Sequence, residues 1–370
     1  MSTYHTTHER VMRARLCQQA GLKGLKNLGN TCFMNAALQS LSNTVPLTDY
    51  FLGHDWRSEL NGDNFLGHGG RLAEAYGALL DELWTHSGDD SGSVVSPKSF
   101  KQVLSSCNEM FDGYEQHDTQ EMLTFLLDGL HEDLNRVKHR PVVNQVDNRD
   151  DERDEEAVAC EAWLGYLKRN RSIIVDLFQG QLRSVLTCKA CGHKTATFDP
   201  FQYLSVPLRS SSGRAISVQE CIEHFCDEEM LDDYSCSKCK RSHCVTKRLA
   251  LWKLPPLLII HLKRFAFNPS GRASKIASEV SFPLEDLDLS EMCPSYQRDR
   301  PLFDCYAFTC HHGGFGSGHY TATCRTRTKP DQWFRYDDAR VTEMSDAEVR
   351  LAFPLGRACM SEASTQEWFA

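Results

Sequence analysis

Apolar residues recur every three to four positions in three segments of the first half of the chain. This spacing predicts helices over residues 31–42, 71–84 and 120–137, each with one apolar face. Asp118 or Thr119 can cap the third helix, because a short oxygen-bearing side chain satisfies the first free backbone N–H groups. The first half of the chain is therefore predicted to be mainly helical.

After residue 173 the pattern changes to an alternation of apolar and polar residues. This period of two predicts strands over residues 181–187, 202–207, 257–265, 306–309, 319–323 and 333–336, with one helix-like segment over residues 218–225. Helices in one half of the chain and strands in the other predict an α+β fold.

The segment NQVDNRDDERDEE, residues 144–156, separates the two patterns. It is dense in charge and almost free of apolar residues, so it has no hydrophobic face to bury. We expect an exposed, mobile insertion here.

Composition narrows the classes of function. The 370-residue chain is 41% apolar and 25% charged, which is typical of a globular protein rather than a disordered one. Its net charge of −9 argues against nucleic acid and anionic membranes as partners and favours a partner with a basic segment.

The same residues bear on where the protein is found. Its apolar runs are far shorter than the roughly 20 residues that cross a bilayer, and residues 1–15 lack the apolar core of a signal peptide. We therefore expect an intracellular protein, in the cytoplasm, the nucleus or both. In a reducing compartment its 16 cysteines are thiols, metal ligands or a nucleophile.

Cys32 stands at the start of the first predicted helix, directly after the turn formed by Gly29 and Asn30. The positive end of the helix dipole and the free N–H groups at this position lower the pKa of a cysteine. The Cys32 backbone N–H and the Asn27 side-chain amide can together hold a developing oxyanion. Taken alone, Cys32 is more simply a small buried residue, so the nucleophile hypothesis requires a base elsewhere.

His319 is the candidate base. It begins a predicted strand after the glycine-rich segment HHGGFGSG, residues 311–318, where glycines let a substrate main chain approach closely. A neutral imidazole can take the proton of the Cys32 thiol. His311 and His312 are less favoured as bases, because neither follows the glycines into the strand.

Two carboxylates end the next predicted strand, at Asp337 and Asp338. If this strand and the one that begins at His319 form a hairpin, Asp337 lies beside the imidazole and can orient it. An acid pair at this position is also typical of a simple turn.

Two CxxC pairs predict a metal site. A CxxC pair at a tight turn directs two thiolates at one centre, and two pairs complete a closed, tetrahedral, structural zinc site. The four ligands would be Cys188, Cys191, Cys236 and Cys239, with 44 residues between the pairs. Redox activity of either pair is the less favoured alternative. The sequence offers other ligands nearby, namely His193, Cys221, Cys226, His243 and Cys244.

Four segments, in this order, resemble those of the ubiquitin-specific protease family. The segment GLKGLKNLGNTCFMNAALQSL, residues 21–41, is similar to the family's cysteine box, and YEQHDTQEMLTFLLDGLHEDL, residues 114–134, to its box with glutamine and aspartate. The segment LPPLLIIHLKRF, residues 254–265, resembles a late strand of the family. GHYTATCRT and WFRYDD, within residues 318–338, resemble its histidine box. Departures from the family pattern are few: the family often has phenylalanine where Met122 stands, and often glutamine or alanine where His117 and Thr119 stand.

The resemblance implies a papain-like cysteine protease core shaped like a hand. After a flexible tail over residues 1–20, residues 21–370 would form one catalytic domain. Its thumb would span about residues 21–172, its zinc-bearing fingers about 173–247 and its palm about 248–345.

The resemblance also implies roles for individual residues. Cys32 would be the nucleophile, His319 the general base, Asp337 the acid that orients it and Asn27 the oxyanion donor, with Asp338 as a helper. Asp118 and Glu121 match positions that bind the basic C-terminal tail of ubiquitin, and this agrees with the acidic net charge.

The implied function is that of a deubiquitinating thiol protease, which cleaves isopeptide or peptide bonds at the C-terminal glycine of ubiquitin. Its partners would be ubiquitin and ubiquitinated proteins, its cofactor one structural Zn²⁺ per chain, and its oligomeric state a monomer. Two alternatives remain open: an inactive ubiquitin-binding scaffold, and a protease for another ubiquitin-like modifier.

Overall fold

The computed structural model describes residues 21–53, 55–84, 94–150, 152–209, 215–240, 242–267, 273–293, 302–314, 317–352 and 356–363. The predicted tail over residues 1–20 lies outside this range.

Helices dominate the described chain up to Phe178. They are α1 (Cys32–Ser42), α2 (Val45–Gly53), α3 (Arg71–Trp84), α4 (Lys98–Cys107), α5 (Thr119–Asp133), α6 (Glu155–Leu167) and α7 (Ile173–Phe178), with short 3₁₀ turns at Trp56–Glu59 and Glu109–Phe111. The helices predicted over residues 31–42 and 71–84 are confirmed as α1 and α3.

The third predicted helix is α5, and it ends at Asp133 rather than at residue 137. The chain leaves the helix because the next residues bond elsewhere. The Asn135 side chain donates to the Arg169 carbonyl at 3.0 Å, and the Arg136 N–H donates to the Arg171 carbonyl at 2.7 Å.

Helix α1 is buried along its whole length. It packs against α5 on one side and against strands of the second half of the chain on the other. A helix enclosed in this way needs apolar residues around most of its circumference. Its first residue, Cys32, is thereby placed at the junction of the helical and β parts.

Five antiparallel strands form the first sheet, in the spatial order β1, β3, β2, β7, β6. They are β1 (Asp147–Arg149), β2 (Gly180–Cys188), β3 (Lys194–Phe201), β6 (Glu229–Ser235) and β7 (Ser242–Lys253). The turns β2–β3 and β6–β7 lie at the same end of this sheet, because β2 and β7 are antiparallel neighbours.

A second sheet of eight strands carries most of the remaining chain. Its main path runs in the order β16, β15, β14, β13, β17, β8, β4, and β12 also pairs with β13. The strands are β4 (Leu204–Pro207), β8 (Leu257–Lys263), β12 (Leu287–Asp288), β13 (Leu302–Gly313), β14 (Gly318–Thr326), β15 (Lys329–Asp337), β16 (Arg340–Met344) and β17 (Gly356–Ala363). Each of the six predicted strand segments overlaps a strand of these two sheets, and the α+β class is confirmed.

Smaller elements complete the description. Strand β5 (Ile216–Ser217) pairs with β11 (Val280–Ser281), and β9 (Phe265–Phe267) pairs with β10 (Ala273–Lys275). Helix α8 (Val218–Phe225) confirms the helix-like segment over residues 218–225 and begins with a capping box. Helix α9 (Asp346–Ala352) and a 3₁₀ turn at Ser290–Met292 make up the rest.

Two expectations about local structure are wrong. The strand-like pattern from residue 173 begins with a helix, α7, because Ser172 caps it by accepting from the Val175 N–H and most of its residues are buried. A short apolar run that is buried on all sides does not distinguish a helix from a strand.

The acidic segment is not a free insertion either. Residues 147–149 form β1 and pair with β3, and Asn148 is almost fully buried. Asp154 then caps α6 by accepting from the Ala157 N–H. Many side chains in the segment are exposed, as predicted, but the backbone of residues 147–149 belongs to the sheet.

Among the described residues, no helix combines the length and the apolar character needed to cross a bilayer.

Candidate active site

Cys32 lies at the first position of α1 and is only 4% exposed. The turn before it requires positive φ angles, which glycine and asparagine adopt more readily than other residues. Gly29 has φ +105° and Asn30 has φ +54°. The thiol interacts with the backbone N–H of Tyr320 on β14, the residue directly after His319. The fold therefore brings Cys32 next to the backbone of the strand that carries His319.

The expected lowering of the Cys32 pKa is wrong. Burial raises the pKa of the thiol, and the negative charge of Asp338 adds to the rise. Hydrogen bonds from the backbone N–H groups of Tyr320, Phe33 and Cys32 itself oppose this effect but do not overcome it. The start of α1 supplies N–H groups to the thiol, as predicted, but the effect of burial on the thiol pKa is larger.

His319 and Asp337 lie on neighbouring strands, β14 and β15. The predicted hairpin is confirmed, with Ala322 opposite Tyr336. His319 Nε2 lies 2.7 Å from Asp337 Oδ1, so the carboxylate fixes the ring through this nitrogen. In the described part of the chain, no hydrogen bond joins His319 to Cys32.

Asp338 is bound mainly to two side-chain amides rather than to His319. Its Oδ2 accepts from Asn27 Nδ2 and its Oδ1 accepts from Asn35 Nδ2, both at 2.8 Å. Its distance to His319 Nε2 is 4.0 Å. Sequence reasoning missed Asn35. The available signal was a polar residue one turn after Cys32, in a stretch that is otherwise apolar as far as Leu38.

Asn27 is held in a single orientation by its own turn. Its Oδ1 accepts from the Gly29 N–H at 2.9 Å and from the Thr31 N–H at 3.2 Å. Its Nδ2 is thereby directed at Asp338, and the second hydrogen of the amide remains for another acceptor. The amide is thus preorganised close to the start of α1.

Asp118 and Glu121 lie in the first turn of α5, beside the His319 strand. Asp118 Oδ1 accepts from the Gln120 N–H and from the Tyr320 hydroxyl, each at 3.1 Å. Glu121 is exposed. Gln116, just before the helix, accepts from the Gly318 N–H at 3.1 Å. These contacts join α5 and its preceding loop to the glycine-rich segment.

The four predicted metal ligands converge. Each offers a sulfur atom, and the four atoms lie within 4.8 Å of one another. Cys191 Sγ and Cys236 Sγ are 3.7 Å apart, which matches the separation of about 3.8 Å between thiolates that each bind one zinc at about 2.3 Å in a tetrahedron.

The donor chemistry of this group also suits zinc. A hydrogen bond from the Cys239 backbone N–H, supported by one from Lys238, lowers the pKa of Cys236 to about 6. A backbone hydrogen bond from His193 lowers the pKa of Cys191, but burial and the neighbouring thiols together outweigh it and raise that pKa to about 11. Zinc binds the thiolate form of cysteine, so a depressed thiol pKa favours binding. The residues present therefore fit a closed, structural metal site.

The less favoured candidates lie elsewhere. Cys221, Cys226 and Cys244 are outside the four-sulfur group of the described residues. His193 lies next to it but contacts Asp150 and Ser237, and the side chain of His243 is not described. His312 pairs across the hairpin with His319, whereas His311 is buried against Tyr320.

Comparisons with known proteins agree with this picture. The family model described as "Ubiquitin carboxyl-terminal hydrolase" matches residues 23–363. The human protein named ubiquitin carboxyl-terminal hydrolase 2 is 41% identical over 340 residues, which cover 90% of this chain and 54% of that protein. The chicken (Gallus gallus) protein of the same name is 41% identical over 333 residues, which cover 89% of this chain and 90% of that protein. The chain spans about half the length of the human relative.

A solved structure shares the fold. The SAGA Ubp8/Sgf11/Sus1/Sgf73 DUB module bound to ubiquitin aldehyde matches with a TM-score of 0.71 and 22% sequence identity. The match covers 95% of this chain and 71% of that chain. At this identity the likeness shows the fold alone.

Proposed function

The chain belongs to the ubiquitin carboxyl-terminal hydrolase family, and we propose that it is a thiol-dependent deubiquitinase of the ubiquitin-specific protease type. It hydrolyses isopeptide or peptide bonds at the C-terminal glycine of ubiquitin. The observation that carries this proposal is the contact between the Cys32 thiol and the backbone of Tyr320, beside a His319 ring held by Asp337.

In the proposed reaction His319 takes the proton from Cys32, and the thiolate attacks the carbonyl carbon of the substrate's terminal glycine. Asp337 holds Nε2 of the ring, which leaves Nδ1 to face the thiol. The protonated ring then donates to the leaving amine. Water, deprotonated by His319, cleaves the thioester and restores the thiol.

Asn27 is the proposed oxyanion donor, together with the Cys32 backbone N–H. The Gly29 and Thr31 N–H groups fix its amide in place before substrate arrives. Asp338 is the proposed helper, because it accepts from the same amide.

Asp118 and Glu121 are the proposed binding residues for the basic tail of ubiquitin. Both carboxylates lie at the end of α5 that faces the glycine-rich segment, where a tail ending in Gly-Gly would pass. Glu121 is exposed and available, whereas Asp118 first has to exchange its bond with Tyr320.

The proposed hand has its thumb at about residues 21–172, its fingers at about 173–247 and its palm at about 248–345, within one catalytic domain over residues 21–370. The helical part, the five-stranded sheet and the eight-stranded sheet support these three parts. Strand β1 is an exception, because it lies within the residue range of the proposed thumb but pairs with β3 in the five-stranded sheet.

Zinc is the proposed metal, one ion per chain, held by Cys188, Cys191, Cys236 and Cys239. When bound it would cross-link two hairpins and take no part in the reaction, since four thiolates leave no open position. Ubiquitin and ubiquitinated proteins are the proposed partners of a monomeric protein that resides in the cytoplasm, the nucleus or both.

The test is a ubiquitin probe with an electrophile at its C-terminus. Wild-type protein should form a covalent adduct, and Cys32→Ser should bind the probe without forming it. Binding without labelling by the wild type would favour the inactive scaffold, and labelling only by the probe of another ubiquitin-like modifier would favour a protease for that modifier. Failure of both probes to bind would overturn the proposal.

The metal has its own test. Elemental analysis should find about one zinc per chain, and Cys188→Ser should lose both the metal and stability of the fingers. A fully folded wild type that is free of metal would overturn the zinc proposal and leave the deubiquitinase proposal intact.

A further inference from the structure

The acidic segment that matches no family motif passes beside the two CxxC pairs at Asp150. Asp150 directly follows β1. We call the two CxxC segments, residues 188–191 and 236–239, the cysteine turns. Each carboxylate oxygen of Asp150 contacts a residue in or next to one of them. Oδ1 lies 2.8 Å from His193 Nδ1, next to the first turn. Oδ2 accepts from Lys238 Nζ at 2.8 Å, inside the second turn.

His193 extends this bridge. Its ring is nearly buried, with the side chain 7% exposed, and its Nε2 lies 3.0 Å from the Ser237 hydroxyl of the second turn. The ring thus lies between the carboxylate and the second CxxC pair. Three segments that are distant in sequence meet in one network.

Backbone contacts make this arrangement specific. The Lys194 N–H donates to Asp150 Oδ1, and the Asp150 N–H donates to the Lys194 carbonyl, each at 3.0 Å. Asp150 has φ +50°, a left-handed conformation that aspartate and asparagine adopt more readily than most residues.

The segment is held in this position from both sides. Asn148, almost fully buried, donates to the Arg153 carbonyl at 2.8 Å and accepts from the Arg153 N–H at 3.0 Å. The pairing of β1 with β3 fixes the preceding residues. The carboxylate of Asp150 is therefore presented to the cysteine turns by an ordered backbone.

A metal site made from two separate hairpins binds more tightly when the hairpins are already held together. Partners of the residues around the ligands provide this preorganisation, and their loss typically lowers metal affinity. We infer that Asp150 is a positioning residue that clamps the two cysteine turns for zinc, acting through His193 and Lys238. This inference rests on the zinc site proposed above.

The experiment measures zinc release from the full chain to an excess of a chromogenic chelator. Asp150→Asn keeps the backbone conformation but removes the charge that holds Lys238, and Asp150→Gly tolerates the same φ while removing every side-chain contact. We expect zinc release to be about 10- to 100-fold faster in Asp150→Gly, in line with the loss of affinity typical when such a partner is removed, and to be accelerated less in Asp150→Asn.

The matched control is Asp147→Asn, which makes the same charge change at the start of the neighbouring strand β1. Asp147 contacts the exposed Arg149 and not the cysteine turns, so this variant should release zinc at the wild-type rate. If both Asp150 variants bind one zinc and release it at the wild-type rate, the inference is overturned and the zinc site stands. A wild type without zinc would overturn both.

Discussion

Asp338 differs from Asp337 in what it contacts, and this separates the roles of two adjacent carboxylates. Asp337 contacts His319, the proposed base, whereas Asp338 accepts from Asn27 and from the buried amide of Asn35. The sequence predicts that Asp337 orients His319, and the family resemblance implies that Asp338 is only a helper. The link between Asp338 and the proposed oxyanion donor depends on a turn and a helix some 300 residues away, which no local pattern reveals.

We predict that Asn27→Ala lowers kcat by about 10²- to 10³-fold, the loss found when one oxyanion donor is removed. Asp338→Asn should also lower kcat, because the amide of Asn27 loses its charged acceptor. If both residues act as one unit, the double variant should be no slower than Asn27→Ala alone. Steady-state hydrolysis of a fluorogenic ubiquitin substrate measures these changes in kcat. The comparison variant is Asp337→Asn, which should instead alter the dependence of the hydrolysis rate on pH.

His117, a departure from the family pattern, gives a prediction about pH and stability. Its ring packs edge-on against Phe33 and Phe111 at centroid distances of 5.2 and 5.4 Å. Burial lowers its pKa, Lys101 lowers it further, and Glu121 and Glu115 act in the opposite direction. The folded state therefore favours the neutral ring.

Because the folded pKa lies below the unfolded value of about 6.5, the unfolded state binds more protons between the two values. The free energy of unfolding should thus be highest above the unfolded pKa and fall as the pH drops through the folded one. Thermal melts from pH 8 to pH 5 should show a smaller loss of stability for His117→Phe, which keeps the aromatic contacts, than for wild type. Parallel curves would contradict this account.

At the scale of elements, the apolar spacing identified α3 and α1 well. It failed at α4, where few residues are buried, and at α7, a short helix that is almost wholly buried. Helix α4 buries only Phe100 and Leu104, too few positions to establish a period. Helix α7 buries nearly all of its residues, so its apolar run looked like a strand. Strand β1 was missed because its pairing is set by β3 and not by its own acidic residues.

Asp133 shows how one helix determines where another begins. It is the last residue of α5 and is fully buried, and its carboxylate accepts from three backbone N–H groups at the start of α3. Oδ1 accepts from His68 at 2.6 Å, and Oδ2 accepts from Leu72 at 3.0 Å and Ala73 at 3.2 Å. The carboxylate also suits the positive end of the α3 dipole.

Asp133→Asn should lower the free energy of unfolding by about 2–4 kcal/mol, because an amide nitrogen cannot accept and buried N–H groups lose their partner. Urea unfolding measures this. The control is Asp154→Asn, which makes the same change at the exposed N-cap of α6, where asparagine caps as well as aspartate does. Equal effects of the two substitutions would show that the burial of Asp133 is unimportant.

At the scale of the whole molecule, the candidate catalytic residues come from opposite ends of the described chain. The segment that carries Asn27 and Cys32 is tied to the last strands of the large sheet. The Leu25 N–H donates to the Asp338 carbonyl at 2.8 Å, and the Tyr336 hydroxyl donates to the Gly21 carbonyl at 2.7 Å. The sequence motifs predict that these two ends lie together, because the family resemblance spans both of them. No sequence motif predicts the contact between the acidic segment and the cysteine turns.

The same architecture predicts that loss of zinc is a local event. The cysteine turns have a small hydrophobic cluster of their own around Cys188, Cys236 and Val245, separate from the large cluster that encloses α1. Stability in such a structure is not uniform, and a region with few buried apolar contacts opens first. Removal of zinc by a chelator should therefore speed amide hydrogen exchange at the β2–β3 and β6–β7 turns and leave α1 and β14 protected. Mass spectrometry of peptides from both regions, with and without chelator, measures this exchange. If α1 lost as much protection as the cysteine turns, the metal would stabilise the whole fold cooperatively, contrary to the prediction.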